Sequence, residues 1–193
     1  MMINIDTWKE FTFNEIFVIE KGFYNKKPEH FEEGNIRFLG AVDKNNGVTE
    51  YYSLDEIKNT PKSSDSKKNA PLTEKIFPAN ALCVTNNGSV GFAYYQDEEF
   101  SCSHDVNPLY IKDGEFNKFT ALFVATVIEK DRYRWAYGRK WRPERMMFSK
   151  ILLPSTDDGN PDWEFMENYI KKLYAEMLSD INNRIDNLLL AME

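Results

Sequence analysis

Residues 81–95 read Ala-Leu-Cys-Val-Thr-Asn-Asn-Gly-Ser-Val-Gly-Phe-Ala-Tyr-Tyr. Apolar and β-branched residues from Ala81 to Thr85 run into Asn86-Asn87-Gly88-Ser89, a group that accepts left-handed backbone, and Val90 to Tyr95 then resumes a strand-like composition. The stretch predicts a β-hairpin, so the fold contains antiparallel sheet. Downstream, Val106 to Ile111 (VNPLYI) predicts another strand, with Pro108 favouring an edge or end position because it donates no ladder hydrogen bond. From Lys118 to Glu129 the apolar spacing satisfies either a buried helix or a strand, and length favours the helix. Lys150 to Pro154 (KILLP) is a short apolar strand closed by proline.

Upstream, Ile36 to Val42 (IRFLGAV) reads as a strand, and Asp43 to Gly47 (DKNNG) as a turn into a second extended piece through Tyr51 and Tyr52. Trp8 to Gly22 (WKEFTFNEIFVIEKG) is an aromatic, β-branched packed segment that stops at glycine. Asn59 to Pro71 has two prolines and no apolar period, which predicts an exposed connector, ranked above a nucleic-acid-contacting loop.

The polar run Ser155 to Pro161 is the candidate boundary of the second half, dividing a globular unit, 1–158, from a helical appendage, 159–193. Asp162 to Met192 has no Pro or Gly and places Met166, Ile170, Leu173, Met177, Ile181, Ile185, Leu188 and Met192 at steps of three or four. A helix of about 30 residues is roughly 45 Å long at 1.5 Å per residue, longer than one face of so small a domain. Either part of its stripe takes a partner helix, or the rod folds back on its own domain.

With 193 residues, 42% of them hydrophobic, the chain can bury one substantial core. Its formal charge of −7 is not the usual sign of a nucleic-acid binder. The charges are unevenly placed, however. Between residues 130 and 150 lie Lys130, Arg132, Arg134, Arg139, Lys140, Arg142, Arg145 and Lys150 against Asp131 and Glu144, a local +6 that leaves −13 for the remainder. Tyr133, Trp135, Tyr137 and Trp141 are interleaved with these cations, a composition suited to phosphates and to sugar or base faces. The competing reading makes the aromatics core and the cations a solvated or ion-paired face.

Enzyme signatures are weak. Asn107-Pro108-Leu109-Tyr110 approximates the Asn-Pro-Pro-Tyr of amino-methyltransferases, but Leu109 replaces a proline and no glycine-rich cofactor turn follows a strand. Glu56-Ile57-Lys58, with Asp43 upstream, reads as a surface helix fragment more readily than as a nuclease element. Ser89, Ser101, Ser103, His104 and Asp105 form no nucleophile elbow or recognisable triad. Cys83 and Cys102, with His30 and His104, lack the spacing of a zinc site, and reduced, partly buried thiols of a cytoplasmic protein are expected. No cofactor, metal, catalytic residue, leader or membrane span is expected.

Several pieces together resemble one family, the specificity (S) subunits of type I restriction-modification enzymes and the related recognition chains of type II systems that cut and methylate. Trp8 to Gly22 is similar to that family's opening motif, Ile36 to Asp43 to the strand that follows, Ala81 to Gly91 to its strand and turn, and Tyr137 to Pro154 (YGRKWRPERMMFSKILLP) to its closing element. The resemblance implies a mixed α/β (α+β) target-recognition domain, with a twisted mixed sheet and short helices, followed by a long C-terminal helix. It implies a non-catalytic protein that binds double-stranded DNA and directs a separate methyltransferase or nuclease subunit. Full-length members carry two such units with antiparallel helices. One unit here resembles a half-subunit, for which a homodimer, or pairing with a different half, would restore the arrangement and a symmetric, bipartite target.

The expected DNA contacts are Lys130, Arg132, Arg134, Tyr137, Arg139, Lys140, Trp141, Arg142 and Arg145, with Asn86, Asn87 and Ser89 at a turn tip. Gly88 and Gly91 are expected to serve the turn itself. The alternative is an interaction or decoy protein that occupies the modification subunit without reading DNA. A small hydrolase or methyltransferase ranks third.

Overall fold

Every residue of the strand Ala81–Thr85 is buried, which explains why its sequence shows no apolar-polar alternation. Leu82 and Val84 point into the main core, while Ala81 and Cys83 join a second cluster on the opposite face. The computed structural model describes residues 5–63, 70–135 and 137–191, with the backbone alone at Tyr137. In chain order its strands are β1 (Trp8–Thr12), β2 (Phe17–Ile19), β3 (Ile36–Leu39), β4 (Val48–Tyr52), β5 (Ala81–Thr85), β6 (Ala93–Gln96), β7 (Phe100–Cys102), β8 (Val106–Ile111) and β9 (Lys150–Pro154). The helices are α1 (Phe13–Ile16), α2 (Leu54–Asn59), α3 (Leu72–Lys75), α4 (Lys118–Lys130), α5 (Pro143–Met146) and α6 (Trp163–Leu190).

The strands divide among three sheets, β2-β8-β5-β6, β4-β3-β7 and β1-β9. In the second, β3 pairs antiparallel with β4 and parallel with β7, so the pairing is mixed. The first sheet lies between α4 on one face and the second sheet on the other. The third joins Trp8 to Pro154 and Thr12 to Lys150, clipping the first strand to the last. This is the mixed α/β architecture with short helices and a long final helix that the resemblance implies, although its sheet is split rather than continuous. Among the described residues no helix is long and apolar enough to cross a membrane.

The hairpin is present, but its second strand begins at Ala93 rather than Val90. Thr85 closes the connection instead: its hydroxyl donates to the Ser89 carbonyl and accepts from the Phe92 N–H at 3.0 Å. Gly91 sits at φ 79°, and a Cβ there would approach Arg132 Cγ to 2.8 Å, so both backbone and space call for glycine.

Pro108 is not at an edge. It lies within β8, which has a neighbour on both sides. The Pro108 carbonyl accepts from the Glu20 N–H at 2.8 Å, and the return bond that proline cannot make is supplied by Asn107, whose Nδ2 donates to the Glu20 carbonyl at 2.7 Å. The resemblance of residues 107–110 to a methyltransferase motif thus falls on an interior strand.

Glu56 is not a surface residue either. Its carboxylate is buried and accepts from the backbone N–H groups of Phe31, Ser53 (2.8 Å) and Glu32 (3.3 Å), closing a capping box with Ser53 at the start of α2. The Phe31 N–H above all, then those of Ser53 and Glu32 and nearby His30, hold the carboxyl below its ordinary value of 4.5, against the opposing effect of burial. Because the folded pKa is depressed, this stabilisation is complete above about pH 4.5 and is lost as pH falls through the folded value. Glu56→Gln is therefore expected to be less stable to urea than the parent at pH 7, with the gap closing toward pH 3. A gap equal at both pH values would contradict the assignment.

α4 is a helix, capped by Asn117, whose Oδ1 accepts from the Phe119 and Thr120 N–H groups at 2.9 and 3.1 Å. Its second face receives the first turns of α6. Met166 is fully buried, Phe123 meets Tyr169 edge-on at 5.9 Å, and Phe119 meets Tyr174 at 5.8 Å. Ile170 is partly buried against the same core. The first three turns of the long helix lie on their own domain, as one of the two expectations has it, and beyond Tyr174 its described residues are exposed. Leu173 is 39% exposed, Met177 50%, Ile181 45%, Ile185 48% and Leu188 66%. Met192, also expected in the stripe, and residues 64–69 of the expected connector lie outside the described residues. The run 155–161 is a tied turn, in which Ser155 bridges Pro161 and Asp162 N–H donates to the Pro154 carbonyl at 2.9 Å.

Candidate nucleic-acid interface

The segment from Asp131 to Ser149 is anchored by two tryptophans. Trp141 is buried, stacks on Trp135 at 4.9 Å and 11°, meets Phe13 edge-on at 5.1 Å, and donates from Nε1 to Ser149 Oγ at 2.8 Å. Trp141 thus belongs to the core and not, as expected, to an exposed binding face. The aromatic-cation interleaving arises because each indole turns inward while its charged neighbours turn out.

The cations leave this anchor in two directions. On one side, Arg132 lies over the Phe92 ring at 3.4 Å and donates from Nε to the Val90 carbonyl at 3.3 Å, bracing the β5–β6 turn. Arg134 pairs with Asp131 at 3.3 Å, and Lys130 is exposed. On the other side, Lys140 and Arg142 line a cleft of about 300 Å³, while Arg139 and Arg145 are exposed nearby in the chain. Among the described residues Lys130, Arg139 and Arg142 form no salt bridge. The side chain of Tyr137 lies outside the described set.

This cleft gathers side chains from distant parts of the chain. Lys21, Lys62 and His104 line it together with Lys140 and Arg142, and so do the carboxylates Asp105 and Glu144. Lys21 pairs with Glu144 at 2.8 Å, holding that carboxyl below its ordinary range, but both ends are about two-thirds exposed and the pair contributes little. The Trp141 backbone N–H donates to the Asn86 carbonyl at 3.1 Å, which ties the basic segment to the cleft floor.

That floor is a spent amide network. Asn86 is buried, and its Nδ2 donates to Asn107 Oδ1 at 2.6 Å and to the His104 carbonyl at 3.1 Å. Asn86 is therefore a structural residue, correcting its expected place at an exposed tip. Asn87 is half-buried and does line the cleft. Ser89 is half-buried outside the cleft, with its carbonyl engaged by Thr85. Of the expected contacts, Asn86, Asn87, Lys140 and Arg142 share this site, Asn86 as part of its buried floor. Lys21, Lys62 and His104 carried no sequence signal, because nothing in the local pattern brings residues 21, 62 and 104 to residue 140.

The arrangement offers positive charge and directed amide groups, the two components of anion positioning and hydrogen-bond readout. Among the described residues no group of three or more His, Cys, Asp or Glu is placed to hold a metal ion.

Residues 5–187 match the model of the type I restriction modification DNA specificity domain. The chain is 36% identical over 167 residues to the specificity subunit S.BcgI of the type II restriction enzyme BgcI from Heyndrickxia coagulans, covering 86% of this chain and 43% of that protein. It therefore spans less than half the length of this curated relative. The S subunit of a type I restriction-modification system from M. genitalium superposes with a TM-score of 0.54 at 17% identity, over 96% of this chain and 43% of that one. The HsdS subunit from Thermoanaerobacter tengcongensis gives 0.57 at 13% identity, over 90% and 39%. At such identities these two likenesses concern the fold. The match across nearly the whole sequence, on a fold of the same kind, makes this chain a member of the type I restriction modification DNA specificity domain family.

Proposed function

We propose that the chain is a DNA-recognition component of a restriction-modification system, carrying no catalytic centre of its own. The globular unit, 1–158, reads a half-site in double-stranded DNA, and a separate modification subunit performs methyl transfer or cleavage. The helix, 159–193, pairs with a second such helix, in a homodimer, and docks that subunit. The observation that carries the reading is the convergence of Lys21, Lys62, Lys140 and Arg142, against the two carboxylates Asp105 and Glu144, on one amide-lined cleft in a chain whose net charge is −7. An acidic protein that concentrates cations at one place directs a polyanion there and repels it elsewhere. Cys83 and Cys102 are buried free thiols, which suits the reducing cytoplasm as the place of action.

The test is the salt dependence of binding to a DNA duplex. Each phosphate contact contributes about 0.9 to the slope of log affinity against log salt. Arg139, Lys140 and Arg142 changed together to alanine are expected to weaken binding to all sequences and to lower that slope by about 2 to 3. An unchanged slope would remove the segment from the interface. Failure of the parent chain to retain DNA, with capture of the modification subunit intact, would favour the interaction or decoy role.

A further inference from the structure

We propose that Asn87 is a base-reading residue and that the base it reads is adenine. The inference rests on the DNA-binding reading above and assigns a specificity contact within it. Asn87 Nδ2 donates to Asp105 Oδ1 at 2.9 Å. Asp105 Oδ1 lies 3.3 Å from His104 Nε2, and His104 Nδ1 lies 3.2 Å from the Tyr24 carbonyl. This chain of contacts fixes the amide's sense, because a flipped Asn87 would set its oxygen against a carboxylate. Asn87 Oδ1 accepts no hydrogen bond among the described residues and is shielded from solvent.

A carboxamide offers two N–H donors and one carbonyl acceptor. Here one N–H is committed to Asp105, leaving one donor and the whole acceptor unused. In the major groove guanine presents two acceptors, cytosine a donor, thymine an acceptor beside a methyl, and adenine alone an acceptor beside a donor. Adenine is therefore the base that matches a single amide edge. Reading a base requires the Asn87 side chain to turn so that its oxygen leaves the shielded position while Nδ2 stays on Asp105, and the adenine N6 group then supplies the donor that the oxygen lacks in the free chain. Exposed Gly88, next in sequence, places no side chain in the way.

The neighbouring amides do not compete. Asn86 and Asn107 are buried and bonded to each other, and Asn107 is also bonded to Glu20. Asn25 lines the same cleft but is exposed, and among the described residues its side chain has no hydrogen-bond partner to orient it.

The experiment begins with DNA enriched by the full chain from a random duplex pool. Each adenine of the enriched motif is then replaced in turn by 7-deazaadenine, which lacks the N7 acceptor, and affinities are measured for the parent, Asn87→Ala and Asn87→Gln. At one adenine per half-site the parent is expected to lose about tenfold, the scale of one hydrogen bond. Asn87→Ala is expected to bind the unmodified motif about 10- to 100-fold more weakly and to show no further loss on 7-deaza substitution. Asn87→Gln keeps the chemistry but shifts its reach, so it should also lose the adenine response, whether or not the alanine variant folds well. A motif without adenine, a parent indifferent to every N7, or variants that retain the response would overturn the assignment while leaving DNA recognition intact. A parent that enriches no sequence would instead remove the DNA-reading function, and this contact with it.

Discussion

Changing Ile181 and Ile185 together to glutamate is expected to separate the proposed homodimer into monomers. Both residues lie on α6 beyond the last contact with α4, about half exposed, within a stripe that includes Met177 and Leu188. Residues 175–190 extend about 24 Å past the docked part at 1.5 Å per residue. So continuous an apolar surface is unusual on a monomer. Each isoleucine contributes about 1.5 to 3 kcal/mol when buried, and each glutamate would bring an unpaired charge to the seam. The dimer dissociation constant should therefore rise at least about 100-fold, since every 1.4 kcal/mol is a factor of ten. Sedimentation of parent and variant would measure it. The globular unit should melt unchanged, because neither side chain touches the core. A parent that is monomeric at high concentration, or a variant as associated as the parent, would contradict helix pairing.

Trp141→Ala should destabilise the fold by about 3 to 5 kcal/mol, the range for deleting a large buried aromatic. The substitution removes the stack on Trp135, the edge contact with Phe13 and the bond to Ser149, and it loosens the tie between the basic segment and Asn86. Arg142→Ala, one residue away and exposed, should leave thermal stability nearly unaltered and act on DNA binding alone. Comparing denaturant midpoints with duplex affinities for the two variants separates core from interface. Undiminished stability in Trp141→Ala, together with weakened DNA binding, would return the tryptophan to the interface.

These pairs mark where the sequence was legible. The β5–β6 hairpin and α4 follow from local composition, because turn chemistry and apolar length act within a few residues. The unpaired reach of α6 follows from arithmetic on its length. The inward turn of Trp141 was not legible, since a short irregular segment carries no period that assigns each side chain to a face. Pro108 misled because its missing donor is replaced by the side chain of Asn107, a compensation that appears only when β2 and β8 are seen side by side. Glu56 misled in the same way: its partners, Phe31 and Glu32, lie two dozen residues upstream. The cleft is the extreme case, drawing Lys21, Lys62 and His104 to Lys140 through the sheet topology. Local charge counting found the second half of that site and none of the first.

Sequence enrichment from a random pool of duplexes by the purified chain tests the account most directly. Two copies joined through α6, each presenting the same cleft, should select an interrupted motif whose two halves are related by two-fold symmetry. Recovery of unselected DNA, or of a single unrepeated element, would contradict it.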